Sequence, residues 1–212
     1  MVFEGKANPV IVLNKIDLAF YPEGGEMVAG LPSNIAFKAL NEFGKPADVE
    51  GEILNSMGKV VSTFESYHMG MGAVAFTPDK NETYFAKITN PTGISETYKL
   101  PEVLPLGYTV SVENSSSNKV KINILTTENE ELSLIAQVRG KLYYANAIQA
   151  KAGSNTLEIS TEDFPMGVAQ FTVFDKKGIA RAERLAFVNK HKKLNVSIST
   201  DKQKYLPREK VK

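Results

Sequence analysis

The residues able to do chemistry are few. Two histidines, His68 in SYHMGMG and His191 in NKHKK, stand in turn-like contexts, and there is no cysteine. A histidine-based zinc centre takes three protein ligands as a rule, so both histidines read as surface or turn residues. Without cysteine there is no thiol nucleophile, thiolate metal site or disulfide. No GxSxG run and no serine tied to a histidine offers an acyl-transfer triad. Carboxylates neighbour one another at Glu130-Glu131, at Glu162-Asp163, and at Glu23 with Glu26. Acid–base work needs two carboxyls facing one cleft, whereas adjacent strand residues face opposite ways. A calcium site built from loop oxygens stays open, but no D-x-[DN]-x-[DN]-G run marks one. The reading is no enzyme, no cofactor and no metal site.

The stretch FYPEGGEMVAGLPSNIAFKA, residues 20–39, places Gly24, Gly25 and Gly30 between two alternating runs. A phosphate cradle needs a helix behind it and a GxxxxGK[ST] or GxGxxG spacing. Pro32 and an alternating run come next instead, so these glycines are expected to make a strand-to-strand turn.

Aromatic residues supply the one candidate binding surface. Tyr143-Tyr144 in KLYYANA would leave one ring facing outward if the strand is regular. Together with Tyr67, Tyr84 and Phe85 they could form an exposed platform for a sugar or a protein partner. The alternative is that such rings pack under a loop or at a contact between domains. Phe37, Phe76, Phe171 and Phe187 fall within alternating runs and are expected in the core.

The elements that must position these residues are strands. KVKINI sets Val120, Ile122 and Ile124 against Lys119, Lys121 and Asn123, LNVSIST sets Leu194, Val196 and Ile198 against polar neighbours, and KIDLAF puts Ile16, Leu18 and Phe20 on one face. Turn-forming runs such as NEFGK, NSMGK, RGK, KAGSN and DKKG separate them, and no dozen residues carry a helical stripe. Composition is that of an ordinary globular chain, 42% hydrophobic and 23% charged over 212 residues. With 25 basic and 24 acidic residues, there is no basic excess of the kind nucleic-acid binding demands. No apolar run is long enough for a membrane helix, and Val10–Leu13 is too short for the core of a signal peptide.

Landmarks recur in the same order, as expected of a repeat. IDLAF at Ile16 matches YTVSV at Tyr108, IAFK at Ile35 matches VKIN at Val120, the GK turn at Gly58 matches that at Gly140, and MGAVAF at Met71 matches MGVAQF at Met166. LNVSI at Leu194 starts the pattern again. The fold class expected is all-β, with two tandem antiparallel immunoglobulin-like sandwiches and the first strand of a third. Residues 1–15 form a leader or the tail of a preceding module, 16–103 the first sandwich, 104–190 the second, and 191–212 a linker and the first strand of a third domain. On this reading the chain is part of a longer protein.

TDKQKYLPREKVK resembles the opening of a macroglobulin-type domain, where Thr200, Asp201, Lys202, Tyr205, Pro207, Glu209 and Val211 fit a Thr-Asp-Lys…Tyr-x-Pro-Gly-Glu-x-Val pattern. Arg208 stands where that family has glycine, which implies a type I turn or a strained one. With FYPEGGEMVAGLPSNIAFKA and FPMGVAQFTVFDKKGIARAERLAFV, the chain is similar to exported envelope proteins of Gram-negative anaerobes. In these, macroglobulin-like sandwiches run in tandem, sometimes ahead of a carboxypeptidase-regulatory-like domain and a TonB-receptor-type plug domain. The resemblance implies a periplasmic or outer-membrane place, reached by a signal peptide that this sequence lacks. It carries no catalytic residues, and the thioester trap of true alpha-2-macroglobulins needs a cysteine. The function it implies is a non-catalytic structural or docking segment whose partners are the rest of the parent chain and an envelope protein or outer-membrane transporter, without nucleic acid or direct membrane insertion. The alternative is an adhesin or glycan-binding module using Tyr67, Tyr84, Tyr143 and Tyr144.

Overall fold

A computed structural model describes residues 15–211. The first part of the chain forms β1 (Ile16–Pro22), β2 (Met27–Val28), β3 (Ser33–Asn41), β4 (Glu50–Leu54), β5 (Val60–Glu65), β6 (Met71–Phe76), β7 (Phe85–Asn90), β8 (Thr97–Lys99) and β9 (Val103–Leu104). The second forms β10 (Tyr108–Ser116), β11 (Lys119–Thr126), β12 (Glu130–Val138), β13 (Lys141–Ala150), β14 (Gly153–Ser160), β15 (Gly167–Asp175) and β16 (Ala180–Val188), followed by one 3-10 turn, Lys190–Lys192. Among the described residues there is no α-helix, and so no helix long and apolar enough to cross a membrane.

The chain folds as tandem antiparallel immunoglobulin-like β-sandwiches. β1-β3-β6 faces β5-β4-β7-β8, and β10-β11-β14 faces β13-β12-β15-β16. Leaving aside the two short strands β2 and β9, both sandwiches share one order: first–second–fifth strand against fourth–third–sixth–seventh. Three of the four sequence landmarks fall on equivalent strands or turns. The fourth does not: Met71 opens β6, a fifth strand, while MGVAQF runs into β15, a sixth. Small and apolar residues alternate wherever a strand faces a core, so a short match of that kind identifies a facing and not a strand.

Alternation fixes the two cores. Val120, Ile122 and Ile124 are fully buried against Leu132, Leu134, Phe171 and Val173. In the first core Phe20, Phe37 and Phe64 form a triangle with centroids 5.0–6.1 Å apart, partly edge-on, as aromatic quadrupoles prefer. Two glycines make room for it. A Cβ on Gly51 would lie 2.3 Å from the Phe64 ring, and one on Gly72 would lie 2.4 Å from Phe37. Phe37 and Phe171 are core residues as expected. Phe76 is only half-buried, its ring against Tyr84, and Phe187 is exposed on the outer face of β16.

Beyond the second sandwich, Leu194–Ser199 forms no strand. Leu194, Val196 and Ile198 are 85, 69 and 90% exposed, because alternation alone does not hold a strand whose backbone groups find no neighbour. Farther along, Arg208 adopts φ +67°, and the Glu209 N–H donates to Leu206 O at 3.0 Å. The turn thus takes the left-handed form that glycine favours, with arginine in the strained position.

Truncating Phe171 to alanine is expected to cost about 3–5 kcal/mol, whereas Phe187→Ala should cost less than about 1. Equilibrium denaturation in urea measures both, and equal losses would mean the facing of β15 and β16 is misread.

Candidate functional site at the junction of the sandwiches

The turn Pro22–Gly25 is the point where the two sandwiches meet. Tyr21-Pro22 ends β1, and the Gly25 N–H donates back to Pro22 O at 3.0 Å. Gly24 sits at φ +87° and Gly25 at φ +110°, which glycine adopts without a Cβ penalty. This is the strand-to-strand turn that the spacing implies. Its tip, however, reaches the second sandwich. Gly24 O accepts the Glu183 N–H at 3.2 Å, and a Cβ at Gly24 would stand 2.8 Å from Val110 N. Beside it the Glu23 carboxylate meets the Arg184 guanidinium at 2.9 Å and accepts the Asn34 carboxamide N–H at 3.3 Å.

The connecting segment is also tied down. β9 pairs in parallel with β2, whose Met27 and Val28 are fully buried, and the Ala29 N–H donates to Leu104 O at 2.9 Å. Gly107 N–H then donates to Thr127 Oγ1 at 3.1 Å, so the linker is anchored on both sides. At its end the Tyr108 hydroxyl donates to Glu130. Burial first, and that hydrogen bond second, push the phenol up to about 12. Nearby, Asp175 accepts N–H groups from Ile179 at 3.0 Å and Lys177 at 2.8 Å and pairs with Arg181 at 2.8 Å. These contacts, led by the Ile179 N–H, hold its carboxyl below the usual range.

The tyrosines do not assemble. Tyr67 is exposed in the loop after β5, whereas Tyr84 is 2% exposed, its ring 4.8 Å from Phe76 and its oxygen accepting the Asp79 N–H at 2.8 Å. A buried ring cannot join an exposed platform. Tyr143 and Tyr144 belong to the other sandwich, and neither points freely outward. Ala136 pairs with Tyr144 but Gln137 with Leu142, so Tyr143 is the extra residue of a bulge. Both rings are half-buried against the second core, Tyr143 at 5.1 Å from Phe164. His68 and His191 are both exposed. Sequence reading missed Arg184 and Glu183 altogether; the only signal was the Glu-Gly-Gly run on the other side of the contact.

No protein-family model matches the chain, and no curated protein does. Solved structures similar to it include the Yersinia pseudotuberculosis adhesin InvE (10% identity, TM-score 0.29, 82% of this chain and 58% of that one). Domains 5–6 of the S-layer protein SbsC give 12% identity and a TM-score of 0.39, over 84% of this chain and 97% of that one. Trypsin-activated alpha-2-macroglobulin from Escherichia coli gives 10% and 0.29, over 81% and 15%. The chain thus spans little more than half of the InvE chain and a small part of the macroglobulin. At these TM-scores none of them bears on what this chain does.

Gly24→Ala forces a left-handed alanine against Val110 and is expected to destabilise the junction by about 1–3 kcal/mol. Limited proteolysis should then cut sooner within 100–107, and unchanged cleavage would show that the turn does not hold the linker.

Titration tests the polar groups beside the turn. Tyr108 has its pKa raised on folding, so its contribution is complete below pH 10 and lost as pH climbs to about 12. Asp175 has its pKa lowered, so its contribution is present above the ordinary carboxylate range and lost as pH falls through the folded value. Thermal melts of Tyr108→Phe should therefore show a shallower alkaline decline than wild type, and those of Asp175→Asn a shallower acid one.

Proposed function

We propose that the chain is a non-catalytic structural segment, a spacer that holds other parts of an exported envelope protein apart in fixed orientation. The observation that carries this is the anchored linker: β9 is laid into a ladder with β2 while Glu23 and Gly24 grip β16. The path of the chain supports the same reading. β1 runs toward the junction, and β16 runs from Glu183 and Arg184, at the junction, to Phe187, whose carbonyl accepts from Asn114 near the far end of β10. Entry and exit therefore lie at opposite ends, and a nine-residue strand adds roughly 30 Å of reach per sandwich.

The exit is held as well. Asn189, buried and at φ +55°, donates to Thr161 O at 2.6 Å and Phe164 O at 2.7 Å, and Lys192 donates to Phe164 O at 3.1 Å. In this reading the chain works in the periplasm or at the outer-membrane face, in the manner of the macroglobulin-type proteins that the 200–211 segment resembles. Its partner there is a membrane protein of that envelope, an outer-membrane transporter among them.

Small-angle scattering tests the spacer. The radius of gyration should clearly exceed the roughly 17 Å of a compact globule of this length, with a narrow spread of domain arrangements that broadens in the double variant Glu23→Ala, Arg184→Ala. A compact particle, or equal spread in both proteins, would rule the spacer out.

A further inference from the structure

A cleft of about 240 Å³ opens where the two sandwiches meet. One wall is the outer face of β10 and β11, where Thr109 pairs with Leu125 and Ser111 with Asn123. The other is the start of β3 at Pro32–Asn34, with Ala75 of β6 beside it. One hydroxyl-bearing residue of the lining, Thr109, is more than nine-tenths buried at 7% exposed, whereas the Ser33 side chain turns to the first core with Ile35 and Phe37. The Thr109 hydroxyl has no hydrogen-bond partner among the described residues, and the Ser33 Oγ, also without one, is fully buried behind the cleft wall and out of a ligand's reach. A ligand that covers the Thr109 hydroxyl strips it of water and must supply a hydrogen bond in exchange.

The remaining polar groups point to the ligand's chemistry. Asn123 Oδ1 accepts from Ser154 at 2.6 Å and Thr156 at 3.4 Å, which leaves its Nδ2 two donors without acceptors. Asn34 donates to Glu23, which leaves its carbonyl oxygen as an acceptor. Glu23 is the sole charge in the lining, and it is already neutralised by Arg184. Uncommitted donors and acceptors are thus mixed, with no spare cation to hold a phosphate or carboxylate. Pro32, Ala75 and Leu125 add an apolar floor. The volume is below the roughly 300–1,000 Å³ of drug-sized ligand sites.

We propose that the junction cleft binds one neutral, polyhydroxylated unit, a single hexose, whose hydroxyls each donate and accept and whose C–H face covers the apolar floor. A second polar depression, lined by Ser111, Glu113, Lys121, Asn123, Ser154 and Thr156, continues from it over the same sheet face, its two opposite charges side by side where Glu113 pairs with Lys121, so the hexose can be the end unit of a glycan chain. The binding rests on the junction geometry and not on the spacer role, and either can fail alone.

Saturation-transfer NMR and calorimetry on the whole chain test it, with glucose, galactose, mannose and N-acetylglucosamine as probes and inorganic phosphate as the charged control. The expected result is binding of at least one sugar at a Kd of about 1 mM or tighter. Thr109→Val, which removes only the hydroxyl, should weaken it roughly tenfold, the effect of losing one hydrogen bond. Phe187→Ala, on the outer face of β16, should leave it unchanged. If Thr109→Val fails to fold by circular dichroism, Asn123→Ala serves in its place. No signal from any of the four sugars, binding indifferent to the cleft variants, or preference for phosphate would each overturn the proposal.

Discussion

One close approach governs how the two halves of this molecule meet: the backbone of Gly24 against the backbone of Val110. A Cβ on Gly24 would lie 2.8 Å from Val110 N, a separation that real side chains do not tolerate. Only with that atom missing can the turn after β1 come near enough for Gly24 O to accept from Glu183 and for Glu23 to reach Arg184. The ion pair by itself would be weak, since exposed pairs contribute about 0–1 kcal/mol. Its setting differs, because the backbone hydrogen bond next to it and the β2–β9 ladder already fix the geometry. Three modest contacts that share one rigid frame act together where each alone would not.

Inside each sandwich the same reliance on small residues appears. Gly51 and Gly72 leave the space that the Phe37 and Phe64 rings fill, so the first core depends on absent side chains as much as on present ones. The second core has no such aromatic triangle. It is filled mainly by β-branched and leucine side chains from β11, β12 and β15, with Phe171 at its centre. The two halves therefore share a topology and not a packing solution.

Much of the architecture was legible in the residues. Period two in KVKINI and KIDLAF gives the correct inward faces, and the order of landmarks reveals a repeated unit, because both arise from local backbone geometry. What local geometry does not encode stayed hidden. The bulge at Tyr143 turns two successive rings toward the core, against strict alternation. Phe187 sits on an outer face although it lies in an apolar run. Tyr84 looks like a platform residue until its burial against Phe76 is seen. The junction is the clearest case, because Glu23 and Arg184 meet across most of the chain and nothing near either residue marks the other.

The position of those partners carries a consequence for the order of assembly. Glu183 and Arg184 belong to β16, the last strand of the second sandwich, while Glu23 and Gly24 come directly after β1, the first strand of the other. During synthesis the first sandwich and the start of β10 against its turn can be in place long before Glu183 and Arg184 exist to bind that turn. The lock closes only when the final strand has been laid into its sheet. A second sandwich that stalls without β16 keeps its partner unlatched, so the latch reports that folding of the pair has finished.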